Sequence, residues 1–249
     1  MNLENKICLI TGGTKGIGAA TAIALAQQGA QISIVARQLD DEAKRTRQQI
    51  EALGRKCLLI AADVGQAKEA TRCVEETVRQ LGAVDVLVHS AGGPVNGGLF
   101  DLTAEQWHAA FDVHVHAIFH LCRAVIPGMK EKKEGAIILI SSTAGIRGIK
   151  TNVAYQTVKG ALPQLARALA FEFAPDNIRV NCVAPGVIRT AFHTQMTPEV
   201  KKNNLENRIP LRREGTPEHV ATSIRELVTN DYITGQVVVI DGGLTMRIC

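Results

Sequence analysis

The 249-residue sequence has few aromatic residues, little net charge and no apolar run long enough to span a bilayer. Nine residues are Trp, Tyr or Phe, and only two of these are Tyr. The net charge is +4 and its cations are spread along the chain, which argues against a nucleic-acid-binding surface. No apolar run reaches the roughly 18 residues of a membrane span, and the first residues do not follow the pattern of a signal peptide. We therefore expect a cytoplasmic protein that binds neither nucleic acids nor membranes.

The sequence also lacks Cys-x-x-Cys pairs and flexible linkers. Most of its six cysteines lie inside apolar runs, which indicates small buried residues in a reducing compartment rather than a disulfide framework. No stretch rich in Pro, Gly or Ser divides the chain, so we interpret residues 1–249 as one domain. Glycine, in contrast, is abundant, with 22 residues.

Seven short runs of Val, Ile and Leu recur along the chain, and segments with helical periodicity lie between them. The runs are nearly continuous, which is typical of strands covered by helices on both faces of a sheet. The alternation predicts an α/β fold with a Rossmann-type doubly wound parallel sheet of about seven strands in three α/β/α layers, with ligands at the carboxyl ends of the strands. The predicted strands are 6–11, 31–36, 56–61, 84–89, 136–141, 179–183 and 236–240, and the predicted helices are 17–28, 40–53, 66–81, 104–129, 153–173 and 218–228.

A glycine-rich turn, TGGTKGIG at residues 11–18, follows the first predicted strand and opens the first helix. Gly12 permits the tight turn, Gly16 lets the backbone approach a pyrophosphate, and Gly18 lets the helix pack closely on the sheet. The N-terminus of the helix faces the anion. Because the run lies between a strand and a helix, it favours a dinucleotide site over a merely tight turn. The cofactor-binding residues predicted in this turn are Gly12, Thr14, Lys15, Gly16, Ile17 and Gly18.

The end of the second predicted strand favours NADP(H) over NAD(H). Enzymes that use NAD usually carry an acidic residue there, which binds the ribose hydroxyls. This chain has Ala36, which cannot repel a 2′-phosphate, and Arg37, which with Lys15 can bind one. In the alternative interpretation both cations are solvated, and Asp40 or Asp41 turns back to the ribose.

A serine, a tyrosine and a lysine form the candidate catalytic group. Ser142 follows the fifth predicted strand, Tyr155 lies thirteen residues later, and Lys159 lies four residues further along the next helix. Residues four apart share a helix face. The ammonium of Lys159 would favour the phenolate and lower the tyrosine pKa from about 10 toward the working range. The Ser142 hydroxyl can hold a substrate oxygen.

Together with Asp63-Val64 and Pro185-Gly186, these motifs resemble the short-chain dehydrogenase/reductase family in its single-domain branch, over essentially the whole chain. The similarity is to 3-oxoacyl-acyl-carrier-protein reductase and glucose dehydrogenase-like members. The resemblance implies an oxidoreductase that transfers hydride between a nicotinamide and a carbonyl or secondary alcohol, assembled as a homotetramer or homodimer. It implies that Tyr155 is the general acid or base, that Ser142 binds the carbonyl, and that Lys159 binds the nicotinamide ribose.

The resemblance also implies further contacts with the cofactor. Asp63 would hold the adenine through its carboxylate and Val64 through its backbone, although Asp63 could instead be a helix N-cap. The segment that follows the sixth strand would pass beside the nicotinamide. The cofactor-binding residues added in this way are Asp63, Val64, Ser90, Ala91, Gly92, Pro185, Gly186, Ile188 and Thr190.

Two histidines depart from the family pattern. His89-Ser90-Ala91-Gly92 replaces Asn-Asn-Ala-Gly, and His114 stands where the family often has an asparagine that anchors a proton path to the lysine. An imidazole could support that relay, so His114 is a candidate catalytic residue. Alternatively, it is a packed, hydrogen-bonded histidine. These departures are also the best support for a rival function, a non-catalytic dinucleotide-binding redox sensor or scaffold.

The substrate is expected under a lid at about residues 187–215, which contains Phe192, His193 and Met196. Apolar residues would line the approach, and an anion clamp would require Arg147 or Arg189 to turn inward. The sequence leaves an oxoacyl thioester, a sugar, a steroid and a simple ketone open as substrates. The apolar residues predicted on the approach are Leu99, Ile146 and Ile149.

Three further residues have structural interpretations. His116 and His120 have a spacing that can hold a metal, but no third ligand is evident, so no metal site is predicted. Pro163 lies inside a predicted helix, where it removes one backbone N–H, and we expect a kink near residues 159–163.

Overall fold

The computed structural model describes residues 1–190 and 196–246. All seven predicted strands are present, with ends within two residues of the predicted ones. The strands are β1 Ile7–Thr11, β2 Gln31–Ala36, β3 Cys57–Ala61, β4 Val86–His89, β5 Gly135–Ile140, β6 Ile178–Pro185 and β7 Val237–Ile240. The helices are α1 Gly16–Ala26, α2 Asp41–Ala52, α3 Ala67–Leu81, α4 Ala104–Phe111, α5 Ala117–Lys132, α6 Val153–Phe173, α7 Pro198–Asn203 and α8 Pro217–Thr229.

The strands form one parallel sheet in the order β3-β2-β1-β4-β5-β6-β7. The order reverses between β1 and β4, because the chain builds outward first on one side of β1 and then on the other. Thr11 at the end of β1 lies between Val35 of β2 and His89 of β4. The doubly wound parallel sheet is therefore confirmed, and its carboxyl edge at this reversal is where such sheets bind ligands.

Helices cover both faces of the sheet, so the inner strands β1, β4, β5 and β6 are buried on both sides. Leu9 and Leu139 point into a cluster beneath α3, α5 and α6, whereas Ile10 and Ile138 point into a second cluster beneath α1 and α8. All four side chains are fully buried, and burying each contributes about 1.5–3 kcal/mol. This double burial explains why the strands are nearly continuous apolar runs.

The long helix predicted over 104–129 is interrupted by a π-helical segment at Asp112–His116, which joins α4 to α5. Such a segment leaves backbone carbonyls without their usual partners and often occurs at functional sites. By length and composition alone, Ala104–Lys132 could cross a membrane, a test that a core helix of a soluble protein also passes. Here Leu121 and Val125 of α5 pack into the core beneath the sheet.

The insertion predicted as a lid lies between β6 and α8, and its ends meet in a short parallel bridge between Ile188 and Gly215. The Arg189 N–H donates to the Gly215 carbonyl and the Gly215 N–H to the Val187 carbonyl, both at 2.9 Å. Between these ends lie α7 and a π-helical segment, Asn204–Arg208. Two predicted lid residues, Phe192 and His193, lie outside the described residues.

Candidate active site

The glycine-rich turn is packed so closely that side chains would not fit at its key positions. A Cβ on Gly12 would lie 2.8 Å from the Ala91 amide nitrogen and from the Ser90 carbonyl oxygen. A Cβ on Gly18 would overlap the Gly12 carbonyl. Gly12 also has a positive φ of 65°, which favours glycine. The turn therefore lies directly against the segment that follows β4, as a cofactor bound at both would require.

The N-terminus of α1 has the features of an anion site. The helix begins at Gly16, the Lys15 side chain makes no cap hydrogen bond to any described residue, and the first turn carries no acidic residue. Backbone N–H groups at such an end bind phosphate groups well. The Thr14 carbonyl accepts a hydrogen bond at 3.0 Å from the buried Thr46 hydroxyl of α2, which fixes the turn from behind. These features fit the pyrophosphate of a dinucleotide.

The two cations at the edge of this site have different surroundings. Arg37 is exposed directly after β2, and no ion-pair partner for it occurs among residues 1–190 and 196–246. The ammonium of Lys15 lies 3.6 Å from the Glu42 carboxylate, and both side chains are about half exposed. Arg37 is therefore the cation that is more available to a phosphate.

The two carboxylates of the acidic alternative for the ribose have partners within α2. Asp40 is the N-cap of α2, where its carboxylate accepts from the Ala43 N–H at 3.0 Å. Asp41 pairs with Lys44 at 2.9 Å on the same helix, and this hydrogen bond lowers the pKa of Asp41. Both carboxylates are thus used within the first turn of α2.

Asp63 lies in the loop after β3, and its carboxylate accepts a hydrogen bond from the Gly65 N–H at 3.1 Å. The interpretation of Asp63 as a helix N-cap is wrong, because the N-cap position of α3 is Gln66, whose side chain makes no cap hydrogen bond to a described residue. The bond to Gly65 closes a local turn and orients the carboxylate at the carboxyl edge. Val64 is buried beside it.

Ser142, Tyr155 and Lys159 come together at the end of β5. The Ser142 hydroxyl accepts from the Ala144 N–H at 3.1 Å and is hydrogen-bonded to the Tyr155 phenol. Tyr155 lies in the first turn of α6, and the Lys159 ammonium is 5.7 Å from the centre of its ring. The predicted grouping of these three side chains is therefore present in the structure.

The pKa shifts of the tyrosine and lysine have a common cause, which is burial. Burial raises the pKa of Tyr155, and the hydrogen bond with Ser142 opposes this only partly. Burial lowers the pKa of Lys159 to about 8. The ammonium donates to the Ile140 carbonyl at 2.7 Å rather than to the phenol. The tyrosine pKa thus moves in the direction opposite to the expected one, because desolvation outweighs the hydrogen bond with Ser142.

His89 of β4 connects β1 and the π-helical segment beneath the carboxyl edge of the sheet. Its Nε2–H donates to the Val113 carbonyl at 3.0 Å, and its Nδ1 accepts from the Thr11 hydroxyl at 2.9 Å. Thr11 in turn accepts from the Ala91 N–H at 3.2 Å. Because the Val113 carbonyl can only accept, each proton in this series of hydrogen bonds has one consistent position. The π-helical segment supplies the carbonyl, which explains how a histidine can occupy this position. Burial lowers the pKa of His89 to about 4.

His114 is buried against Gly92, where a Cβ would overlap its ring. Its Nε2–H donates to the Gly93 carbonyl at 3.2 Å, and the buried Nδ1 has no hydrogen-bond partner in the described part of the chain. The ring meets the Tyr155 ring edge-on at 6.0 Å between centres. Burial, aided by the charge of Lys159, lowers the pKa of His114 to about 2. The geometry favours a neutral, packed histidine over a relay that forms an imidazolium.

The segment after β6 reaches the same edge. Gly186 packs so closely on Asp241 that a Cβ would lie 2.7 Å from the Asp241 side chain. Pro185 ends β6, and Ile188 is buried. The Thr190 methyl group lies 3.3 Å from where a Cβ on Gly16 would stand. The predicted segment thus extends from the end of β6 to the glycine-rich turn.

The approach to this edge is partly apolar. Leu99, Ile146 and Ile149 are exposed, and the Gln156 amide holds the backbone at Ile149 through hydrogen bonds in both directions.

Both arginines near the approach have protein partners. Arg147 donates to the Thr245 carbonyl at 2.9 Å, and Arg189 pairs with the buried Glu214 at 3.2 Å. In this arrangement neither arginine forms an anion clamp.

Two features noted in the sequence lie outside this site. His116 pairs with Asp112 at 3.0 Å, and the described residues contain no group of three or more potential metal ligands. Tyr232 is exposed in the loop before β7, and nothing in the structure explains it.

Sequence reasoning missed two residues that support the site, Thr46 and Ser141. Thr46 carries no sequence signal, because its contact with Thr14 depends on how α2 lies beside the turn. Ser141 could have been inferred, since Pro163 leaves the Lys159 carbonyl without its helical donor, and the Ser141 hydroxyl supplies one at 2.7 Å.

Comparisons with known proteins agree with this geometry. The family model described as enoyl-(acyl carrier protein) reductase matches residues 12–245. The 3-oxoacyl-[acyl-carrier-protein] reductase of Thermotoga maritima is 37% identical over 99% of this chain and 100% of its own length. Human dehydrogenase/reductase SDR family member 4 is 36% identical over 99% of this chain and 90% of its own. The structure of L-sorbose reductase from Gluconobacter frateurii, complexed with NADPH and L-sorbose, is 30% identical with a TM-score of 0.92, and the match covers 100% of this chain and 99% of that one.

These relatives confirm the expected enzyme class and do not support the non-catalytic alternative. The chain belongs to the short-chain dehydrogenase/reductase family of NAD(P)-dependent oxidoreductases.

Proposed function

We propose that the protein is an NADP(H)-dependent carbonyl reductase or alcohol dehydrogenase in which Tyr155 is the general acid or base. The observation that carries the proposal is the grouping of Ser142, Tyr155 and Lys159 at the sheet edge that also holds the glycine-rich turn. The bound nicotinamide would supply or accept the hydride. Every other step falls to side chains of this chain.

The three side chains have complementary roles. The Ser142 hydroxyl holds the substrate oxygen, and the Tyr155 phenol exchanges a proton with it. Because burial raises the tyrosine pKa, the phenol keeps its proton at neutral pH and is poised to act as the acid in carbonyl reduction. The buried ammonium of Lys159 binds the nicotinamide ribose and stabilises the phenolate that proton donation leaves behind.

The cofactor would extend along the edge from β2 to β6. The N–H groups at the start of α1 would bind the pyrophosphate, with Gly12, Gly16 and Gly18 allowing its close approach. Asp63 and Val64 would hold the adenine. The remaining contacts would come from Thr14, Lys15, Ile17, Ser90, Ala91, Gly92, Pro185, Gly186, Ile188 and Thr190.

We assign the preference for NADP(H) to Arg37. It is exposed at the end of β2, and the carboxylates of Asp40 and Asp41 are engaged in α2. A relative solved with NADPH agrees with this assignment. The variant Arg37→Ala should raise KM for NADPH at least ~10-fold, the loss of one charge-assisted phosphate contact, and leave KM for NADH nearly unchanged. Asp41→Asn is the matched control, and equal effects of Arg37→Ala on both cofactors would exclude the assignment.

For His114 we propose a role as a neutral hydrogen-bond acceptor beside Tyr155. The Nδ1 lone pair can accept from a water molecule or a hydroxyl, whereas a pKa of about 2 excludes an imidazolium at neutral pH. His114→Asn retains an acceptor and should keep most of the turnover, while His114→Ala should lower it. Equal turnover and pH profiles for all three proteins would show that the side chain serves packing alone.

The substrate class can be found with a panel of carbonyls and alcohols that includes an oxoacyl thioester, a ketose, a steroid ketone and a simple ketone. The apolar rim at Leu99, Ile146 and Ile149 favours a substrate with an apolar part. Absorbance of the reduced nicotinamide should fall with at least one carbonyl, and faster with NADPH than with NADH. No turnover with any of them would count against the proposed reaction.

From the sequence pattern we propose that the chain is one domain whose insertion at about 187–215 closes over the substrate, and that it acts in the cytoplasm. From the family resemblance we propose that it assembles as a homotetramer or homodimer.

A further inference from the structure

Pro163 leaves one carbonyl of the catalytic helix without a helical donor. In α6 the carbonyl of Lys159 would normally accept from the N–H of residue 163, four positions later. Proline has no N–H, yet α6 continues through Pro163 to Phe173. Because both Lys159 and Pro163 are buried, this carbonyl needs another donor within the protein.

Ser141 supplies that donor. Its hydroxyl donates to the Lys159 carbonyl at 2.7 Å, and the serine itself is 3% exposed. The turn after β5 closes over the same carbonyl, since a Cβ on Gly145 would lie 2.6 Å from the Lys159 oxygen. The hydroxyl and the carbonyl therefore form a buried pair that little water can reach.

Lys159 is consequently held to the end of β5 at both of its ends. Its ammonium donates to the Ile140 carbonyl at 2.7 Å, and its carbonyl accepts from Ser141. Ser141 is also the residue directly before Ser142. Ile140 and Ser141 thus fix the position of Lys159 relative to the sheet. Tyr155 lies one turn earlier on α6, so the same contacts fix how Tyr155 lies against Ser142.

We propose that Ser141 is a positioning residue for the reaction, and that Pro163 is its structural counterpart because it keeps the Lys159 carbonyl available to the serine. This inference rests on the proposed function of Tyr155 and Lys159. It adds a residue whose hydroxyl bonds to the Lys159 carbonyl and acts through the backbone of Lys159. Pro163 and the Ser141 hydroxyl act on the same carbonyl, so the effects of substituting them should not be additive.

The test is a double-mutant cycle. Ser141→Ala leaves the carbonyl without a donor, and we expect kcat to fall ~10-fold with KM nearly unchanged, as for a small misalignment of catalytic groups. Pro163→Ala restores an N–H at position 163, so the double variant should recover to within ~3-fold of the wild-type kcat. Ser141→Thr keeps the hydroxyl and should retain most of the activity. Ser223→Ala, which removes a hydroxyl whose bond to the His219 carbonyl within α8 is exposed, is the control and should change nothing.

Three results would overturn the inference: an unchanged kcat and pH profile in Ser141→Ala, a double variant as slow as the single one, or a slow Ser141→Thr. Urea unfolding of the wild-type protein, Ser141→Ala, Pro163→Ala and the double variant separates this failure from failure of the proposed function. If the wild-type protein reduces no carbonyl, the proposed function fails. The cycle is then decided by the unfolding midpoint, which Ser141→Ala should lower and Pro163→Ala should partly restore. Additive midpoint shifts would refute the pairing.

Discussion

The two buried histidines should make the protein lose stability in mild acid, before most of its carboxylates are protonated. The ordinary pKa of histidine is about 6.5, and burial lowers that of His89 to about 4 and that of His114 to about 2. Below about pH 6.5 the unfolded chain binds protons at these two positions while the folded protein does not. Stability therefore falls as pH falls through the unfolded value.

The size of the loss follows from the two shifts. At about pH 5 the unfolded histidine is almost fully protonated, whereas both folded imidazoles remain mostly neutral. Linkage then gives a loss of about 2 kcal/mol for each histidine between about pH 8 and about pH 5, or about 4 kcal/mol for the pair. A loss of this size is a large part of the ordinary stability of a domain.

The assay is urea unfolding followed by circular dichroism at a series of pH values, with His89→Asn, His114→Asn and the double variant. Each substitution should reduce the difference between about pH 8 and about pH 5 by about 2 kcal/mol, whatever it does to stability at the higher pH. The control is His108→Asn, which removes an exposed imidazole from α4 and should keep the wild-type pH dependence. If His89→Asn and the wild-type protein lose equal stability on acidification, His89 is not held neutral by burial and the reasoning fails.

Two further predictions concern the cofactor edge. Gly18→Ala places a Cβ against the Gly12 carbonyl, and it should weaken NADPH binding and cost about 1–3 kcal/mol of unfolding free energy. The control Gly148→Ala, where a Cβ meets no atom within 4 Å, should change neither NADPH affinity nor the free energy of unfolding. Wild-type NADPH affinity in Gly18→Ala would contradict the close packing of Gly18 on Gly12. For Lys159, with a pKa of about 8, kcat/KM for reduction should fall as pH rises through that value and the ammonium loses its proton. Lys159→Arg should move this fall in kcat/KM to higher pH. If the fall stays at the same pH, it reports the titration of another group.

Much of the fold could be predicted from the sequence, because the pattern that encodes it is local. A strand buried on both faces must be apolar along its length, so runs such as 7–11 and 135–140 can be recognised as strands from the sequence. The glycine-rich turn could also be predicted, since Gly12 and Gly18 occupy positions where a Cβ has no room. The spacing of Tyr155 and Lys159 by one helical turn likewise fixes their common face.

The features that sequence reasoning did not find depend on distant contacts. The π-helical segment at Asp112–His116 follows from no local propensity, and it offers the Val113 carbonyl to His89, which is 24 residues away. The direction of the Tyr155 pKa shift depends on how deeply the packed fold buries the phenol. The position of the Lys159 ammonium likewise depends on the Ile140 carbonyl, which only the packed sheet places within reach of it.

The variant Tyr155→Phe tests whether Tyr155 exchanges the proton with the substrate oxygen. The measurement is the NADPH-dependent turnover of the best carbonyl found in the panel, together with NADPH affinity by calorimetric titration. Turnover should fall about 10²–10⁴-fold, the usual contribution of a general acid, with NADPH affinity unchanged. A Tyr155→Phe protein that reduces the carbonyl at the wild-type rate would show that another group donates the proton.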